Sequence, residues 1–142
     1  MGYITNAEIE RRLGSLAYVQ LTDDAGAGVA DTALVDEARL GAEGEVNSYL
    51  ARRVGVPVDL SRYAASADAI RSAAIDLAAY RLHLRRPPAP ADIVRRRREA
   101  VAWLESVAGG AVFLESAAES TTADGMVSGP SRVMTRDSLD NL

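Results

Sequence analysis

The sequence has no cysteine and no lysine, and histidine occurs once among its 142 residues. Without cysteine there is neither a disulfide framework nor thiolate chemistry. A zinc site normally needs several cysteine or histidine ligands, so the composition predicts no metal centre. All sixteen basic residues are arginine, which we attribute to coding bias rather than to chemistry.

Long apolar runs are also missing. The first 21 residues lack the charged-then-apolar pattern of a secretory signal, and no apolar run approaches membrane-spanning length. We therefore expect a soluble protein that acts where it is made and has no membrane partner. The formal net charge of −4 argues against an autonomous nucleic-acid-binding protein that depends on phosphate contacts.

Aromatic residues are few, whereas alanine is abundant and nearly half of the chain is apolar. A single domain of this length can bury a sizeable core. Alanine-rich packing brings helices close together and favours a helical bundle over a β-sandwich. We predict an all-α fold: a compact bundle of about four helices over residues 1–110, followed by an extended C-terminal tail over residues 111–142.

The most apolar stretch runs from Asp68 to Pro88 and is the predicted centre of the bundle. At the helical period, apolar residues occupy nearly every side of it. The exceptions form one narrow polar strip: Ser72, Asp76 and His83. A helix of this kind has to be enclosed by other elements. We expect Ser66 to be its N-cap and the proline pair at 87–88 to end it.

The first helix is predicted from a local signal. Thr5 and Glu8 have the spacing of a capping box, and Ile4 and Ile9 have the spacing of a hydrophobic staple. Gly14 is the expected stop, because glycine readily adopts the left-handed conformation at a helix end. Four apolar residues are then expected to anchor the chain to the core: Leu13, Leu16, Val19 and Leu21.

The segment 22–31 invites comparison with a calcium-binding loop. Counted from Asp23, a glycine falls at the required position, but alanine or leucine replaces the expected oxygen ligands at three others: Ala25, Ala27 and Leu34. A single carboxylate cannot replace the water shell of a calcium ion. We therefore interpret the segment as a flexible glycine turn without a metal.

Asp31 is expected to cap a second, longer helix that ends near Arg53. Its apolar stripe consists of Val35, Ala38, Ala42, Val46, Tyr49 and Leu50. Gly41 and Gly44 lie inside it, which predicts either a close backbone neighbour or a bend. Arg39 and Glu43 have the spacing of an ordinary surface ion pair.

A further helix is predicted from Asp92 to the glycines at 109–110, with Ile93, Ala100, Leu104 and Val107 on the core side along with Arg97.

Four consecutive arginines, 95–98, spread around roughly 300° of a helix and cannot form one flat patch. Acidic neighbours neutralise part of their charge. We predict that three of them contact a partner or an identical subunit: Arg95, Arg96 and Arg98.

The segment 111–142 is rich in serine, threonine, glycine and alanine, so it cannot bury enough apolar surface to fold alone. Its end differs, because apolar residues recur among polar ones in a pattern typical of a peptide that orders on a partner. The predicted contact residues there are Val133, Met134, Thr135, Arg136, Asp137, Leu139 and Leu142.

Catalytic patterns are weak. Asp76 and His83 lie two helical turns apart, a spacing more typical of a polar seam than of a catalytic relay. No glycine-rich loop has the strand–loop–helix setting that cradles phosphates. We therefore expect a protein that is not an enzyme and has no cofactor.

Several segments, in order along most of the chain, resemble the Mu-like phage neck protein family. They are Tyr3–Thr5, the turn 20–24 with its glycines and Asp31, Glu45–Leu50, Tyr80–Leu82 with Arg85–Pro88, and the closing Thr135–Leu139. Ala25 and Ala27 depart from the acidic residues that relatives often carry.

The resemblance implies a helical head-to-tail adaptor of a tailed phage or phage-like particle. Such proteins form a homo-oligomeric ring, usually of twelve copies, beneath the portal protein and above a downstream neck or tail protein. DNA passes through the ring without sequence-specific binding. The implied location is the neck of the virion, with assembly in the host cytoplasm.

Three other interpretations stay open at this stage. One is a tail completion or stopper ring protein of the same neck. Another is a helical nucleic-acid-binding regulator that uses the arginine run. The last is a small enzyme with a pocket around Asp76 and His83.

Overall fold

The structure is a computed structural model that describes residues 2–116. Five helices follow one another along this part of the chain: α1 (Asn6–Leu13), α2 (Ser15–Thr22), α3 (Thr32–Leu50), α4 (Ala64–His83) and α5 (Ala91–Ala108). Between residues 2 and 116 there is no β-strand. The predicted all-α bundle is therefore confirmed, with one helix more than expected.

The enclosure of α4 is confirmed. All four other helices contact it, with α3 and α5 making the most extensive contacts. Its apolar side chains are buried on every side, including Ile75 and Leu82, which lie on the side opposite the main apolar stripe. α3 and α5 each keep an outward face with exposed side chains.

α1 forms as the local signal predicted. The Glu8 amide donates to the Thr5 hydroxyl (3.3 Å), and the Thr5 amide donates to the Glu8 carboxylate (2.7 Å), which completes the capping box. Ile4 and Ile9 are both buried. Gly14 ends the helix at φ +87°, a conformation that favours glycine.

α2 was not predicted, because the glycine at 14 marks an end without showing that a new helix starts at once. Tyr18 and Leu21 are buried on its inner side. Leu16, expected to be a core anchor, is instead 73% exposed. The expectation for Leu16 was wrong because α2 is a short helix whose opposite face is open to solvent.

α3 begins at its predicted cap, where the Asp31 carboxylate accepts from the Ala33 amide (3.0 Å). At Gly41, a Cβ would lie 2.7 Å from the Arg81 guanidinium, so a side chain rather than a backbone makes the close approach. At Gly44, a Cβ would meet nothing within 4 Å. A glycine in a helix interior costs about 1 kcal/mol relative to alanine. Among the described residues, a neighbour that would crowd an added methyl group is present at Gly41 but not at Gly44.

Two predicted helix starts are corrected. The N-cap of α4 lies three residues before the expected one: Tyr63 occupies that position, and Ser66 donates its amide to the Tyr63 carbonyl (2.9 Å). The turn centred on Asp59 leads directly into the helix, since that carboxylate accepts from the Ser61 amide (3.0 Å). α5 begins at Ala91, one residue before Asp92, and its cap position is Pro90.

The core continues past the end of α5, because Leu114 is buried among the apolar residues of the bundle. Within residues 2–116, no helix combines the length and hydropathy needed to cross a bilayer.

Candidate assembly interface

The arginine run lies in the first half of α5, just after the proline-rich connection from α4. Ile93, Ala100, Leu104 and Val107 hold one side of α5 against the core. The four arginines therefore point in different directions around the helix, as their spacing predicts. Two of them turn towards the bundle and two turn outward.

Arg97 joins the three long helices. Its guanidinium donates to the Glu45 carboxylate of α3 (3.1 Å) and lies 4.9 Å from the centre of the Tyr80 ring of α4. Arg81 of α4 donates to the other oxygen of the same carboxylate (3.1 Å). The Glu45 carboxylate thus binds two arginines, and one of these also lies over an aromatic ring. Together these contacts connect the three helices. Arg97 is thus occupied within the chain.

Arg96 is half-buried. Its positive charge acts on the Asp76 carboxyl of α4, which forms an ion pair with Arg12 of α1. Burial raises the pKa of the Asp76 carboxyl, and the positive charges of Arg12 and Arg96 oppose that rise. Arg96, one of the three predicted contact residues, is therefore less exposed than Arg95 and Arg98, although it forms no ion pair among residues 2–116.

Arg95 and Arg98 face outward. Arg95 pairs with Glu99 one turn later (3.1 Å), and both side chains are more than half exposed, so water screens the pair. Arg98 is exposed and forms no ion pair within the part of the chain that the structure describes. These two are the predicted contact arginines that stay available to a partner.

The other predicted contact residues lie outside the described residues. They are Val133, Met134, Thr135, Arg136, Asp137, Leu139 and Leu142. Their role stays a prediction.

The 22–31 turn uses its carboxylates within the chain. Asp23 accepts from the amides of Ala27 (2.9 Å) and Gly28 (2.7 Å), and these bonds lower the pKa of its carboxyl. Asp24 pairs with Arg85 and Arg86 at the end of α4. Across residues 2–116, no group of three acidic or histidine side chains is arranged to hold a metal ion.

The polar strip of α4 is divided between two environments. Asp76 pairs with Arg12 rather than with His83. His83 is half-buried, and burial lowers the pKa of its imidazole, an effect that the negative charge of Asp92 opposes. A catalytic relay would need Asp76 and His83 to act together, but the two side chains lie in different environments.

Sequence reasoning missed a buried polar cluster around Glu43. This carboxylate accepts from the amides of Tyr3 and Ile4 (3.1 Å for Ile4) and from Arg39 (3.3 Å). The Tyr3 hydroxyl donates to Asn47 and accepts from the Val58 amide (2.9 Å).

The Arg39–Glu43 pair is therefore not a surface feature, because the Glu43 side chain is 7% exposed. The available signal was its position: Glu43 precedes Val46 and Leu50 by three and seven residues, which places it on the core side.

Comparison with known proteins gives one family. The family model described as "Bacteriophage Mu, Gp36" matches residues 3–130, which is most of the chain. No curated protein matches the sequence significantly.

Proposed function

The chain belongs to the Bacteriophage Mu Gp36 family, and on that premise we propose that it is a structural head-to-tail adaptor. It is a phage protein, and in this proposal identical copies form a ring, of about twelve as the resemblance implies, between the portal protein and a downstream neck or tail protein. The ring is part of the virion neck and encloses the path of the DNA.

The observation that carries the proposal is the division of the arginine run. Arg97 is paired within the chain and Arg96 is half-buried, whereas Arg95 and Arg98 are displayed on the outer face of α5. Because the bundle already encloses its central helix, these exposed cations are not needed to build the fold. Exposed charges of this kind favour recognition of an oppositely charged protein surface.

The charge balance supports a channel role. The net charge of −4 would not hold the phosphates of a passing DNA duplex, and we propose that the surface lining the channel is not basic. The regulator interpretation is disfavoured because Arg97 is held by Glu45 and Arg96 is half-buried, so only Arg95 and Arg98 of the run are exposed for phosphate contacts.

We also propose that the protein has no catalytic role. Asp76 is held by Arg12, and His83 lies in a separate environment without a nucleophile beside it among the described contacts. Acid–base catalysis needs such groups within hydrogen-bond reach of one reacting atom.

The proposal is tested by reversing the two outward charges. We expect the double variant Arg95→Glu, Arg98→Glu to lower the yield of tailed particles at least tenfold, because like charges then face the partner surface. Electron microscopy counts tailed and tailless heads, and far-UV circular dichroism verifies that the purified variant is folded.

The matched control reverses two other arginines, Arg11→Glu and Arg52→Glu. Both are exposed and neither forms an ion pair in the segment 2–116, so the change in net charge is the same. A normal yield of tailed particles from the α5 variant, or an equal loss from the control, would contradict the role given to Arg95 and Arg98.

A further inference from the structure

α3 carries an exposed stripe of mainly small residues. Its members are Ala33, Glu37, Leu40, Gly44 and Ser48, all exposed and spaced three or four residues apart. Leu40 is 60% exposed, and the space beside Gly44 is open. An exposed leucine one turn from an open glycine leaves apolar surface and room for a second helix to approach closely.

α5 carries a second stripe with the same spacing. It consists of Ala91, Arg95, Arg98, Ala102 and Glu105, all exposed. The small residues Ala91 and Ala102 leave room for another helix to approach closely, since interaxial distance depends on the side chains at the contact.

The two stripes have complementary charges. Glu37 of α3 is exposed and has no ion-pair partner in the range 2–116. The α5 stripe carries two exposed cations: Arg98, which forms no ion pair there, and Arg95, which pairs with the exposed Glu99 of its own helix. Glu37 precedes Gly44 by seven residues, and Arg95 precedes Ala102 by seven. If Gly44 faces Ala102 in a parallel pair, Glu37 therefore faces Arg95, about 10 Å along the helices.

The fold supplies that parallel direction. Within one copy α3 and α5 run the same way, because Glu45 pairs with Arg97 and, towards their C-terminal ends, Arg53 donates to the Ala108 carbonyl (3.1 Å). A rotation axis along the bundle keeps α3 of one copy parallel to α5 of the next.

We propose that the α5 stripe of one copy docks on the α3 stripe of a second copy, with Gly44 against Ala102 and Glu37 against Arg95. The contact uses two different surfaces of the same chain, so it repeats from copy to copy and closes a ring if the rotation is suitable. This inference rests on the proposed ring and names the faces that build it.

The absence of cysteine makes the test direct. A chain with both Gly44→Cys and Ala102→Cys can form a disulfide between copies only where the two Cα atoms come within about 7 Å. We expect mild oxidation of assembled particles, and of the concentrated full chain, to give a ladder of covalent oligomers beyond the dimer.

Three controls define the result. Each single-cysteine variant should give no ladder, and the pair Gly44→Cys with Ala65→Cys, which places the second thiol at an exposed site near the start of α4, should give none either. If the 44–102 pair gives no covalent oligomers in any preparation, the proposed interface is wrong. Dimers from Gly44→Cys alone also overturn it, because they would mean that two α3 stripes face each other.

A charge exchange tests the register. On the 44–102 background, Glu37→Arg alone and Arg95→Glu alone should each lower ladder yield about tenfold, and the two together should restore it. If the exchange restores nothing, the ion pair is wrong.

The inference and the proposed function fail differently. If the purified chain forms covalent oligomers but the necks of the particles lack the protein, the adaptor role is contradicted and this contact is supported. Necks that contain the protein but give no ladder would contradict the contact alone.

Discussion

At the residue scale, Glu43 decides how the N-terminal segment joins the bundle. Its buried carboxylate accepts from two consecutive backbone amides, those of Tyr3 and Ile4, and from Arg39. Buried polar groups are stable only while they are paired. The start of the chain is therefore fixed to the middle of α3, and Ile4 is buried in the core together with Ile9.

Removing this carboxylate should destabilise the isolated chain. We expect Glu43→Ala to lower the free energy of unfolding by about 3 kcal/mol, because two amides and a guanidinium lose their acceptor. Urea titration followed by circular dichroism measures the change.

Glu37→Ala is the matched control, since Glu37 lies on the same helix but is exposed. It should change the free energy of unfolding by less than about 0.5 kcal/mol. Equal effects from both variants would contradict the anchoring role of Glu43.

Residues differ in how far their roles can be predicted from the sequence. The caps at Thr5 and Asp31 were predicted because donor and acceptor lie within three residues of each other. The amides of Tyr3 and Ile4 that bind Glu43 lie 40 and 39 residues away along the chain, and Glu45 lies 52 residues from Arg97, so no local pattern identifies these contacts. For the same reason the division of the arginine run into inward and outward pairs required the structure.

At the element scale, hydrophobic pattern and breaker residues predicted the three long helices, and a capping box predicted the short α1, but no signal predicted the equally short α2. α4 was predicted because its apolar residues exceed what one face can hold, and that excess is visible in the sequence. α2 is only eight residues long, and its hydrophobic residues point in several directions. Its exposed Leu16 shows that an apolar residue in a short helix need not face the core.

The two glycines of α3 give a prediction at this scale. Gly44→Ala should raise the free energy of unfolding of the isolated chain by about 1 kcal/mol, because alanine is the better helix former and the added methyl group meets no other atom. Gly41→Ala should gain less, because its methyl group displaces the Arg81 guanidinium.

Thermal or urea unfolding of both variants checks this difference, and adding Arg81→Ala to Gly41→Ala should remove the penalty from the methyl contact. A stabilisation at position 41 as large as that at position 44 would contradict the described packing. If Gly44 lies in the proposed interface, Gly44→Ala should stabilise the single chain but should not improve assembly.

At the scale of the whole molecule, residues 2–116 form a closed helical core, and the chain belongs to the Bacteriophage Mu Gp36 family. Its central helix is covered by its own neighbours, and we propose that the outward stripes of α3 and α5 join copies. The family match identifies a phage protein, and the exposed charges identify which helical faces we expect to recognise a partner.

A reconstruction of the assembled particle tests the adaptor role most directly. The account predicts a closed ring of this chain beneath the portal, with α3 of each copy against α5 of the next and a channel surface that is not basic. Neck density that excludes this chain, or a ring whose channel is lined with arginine, would contradict it.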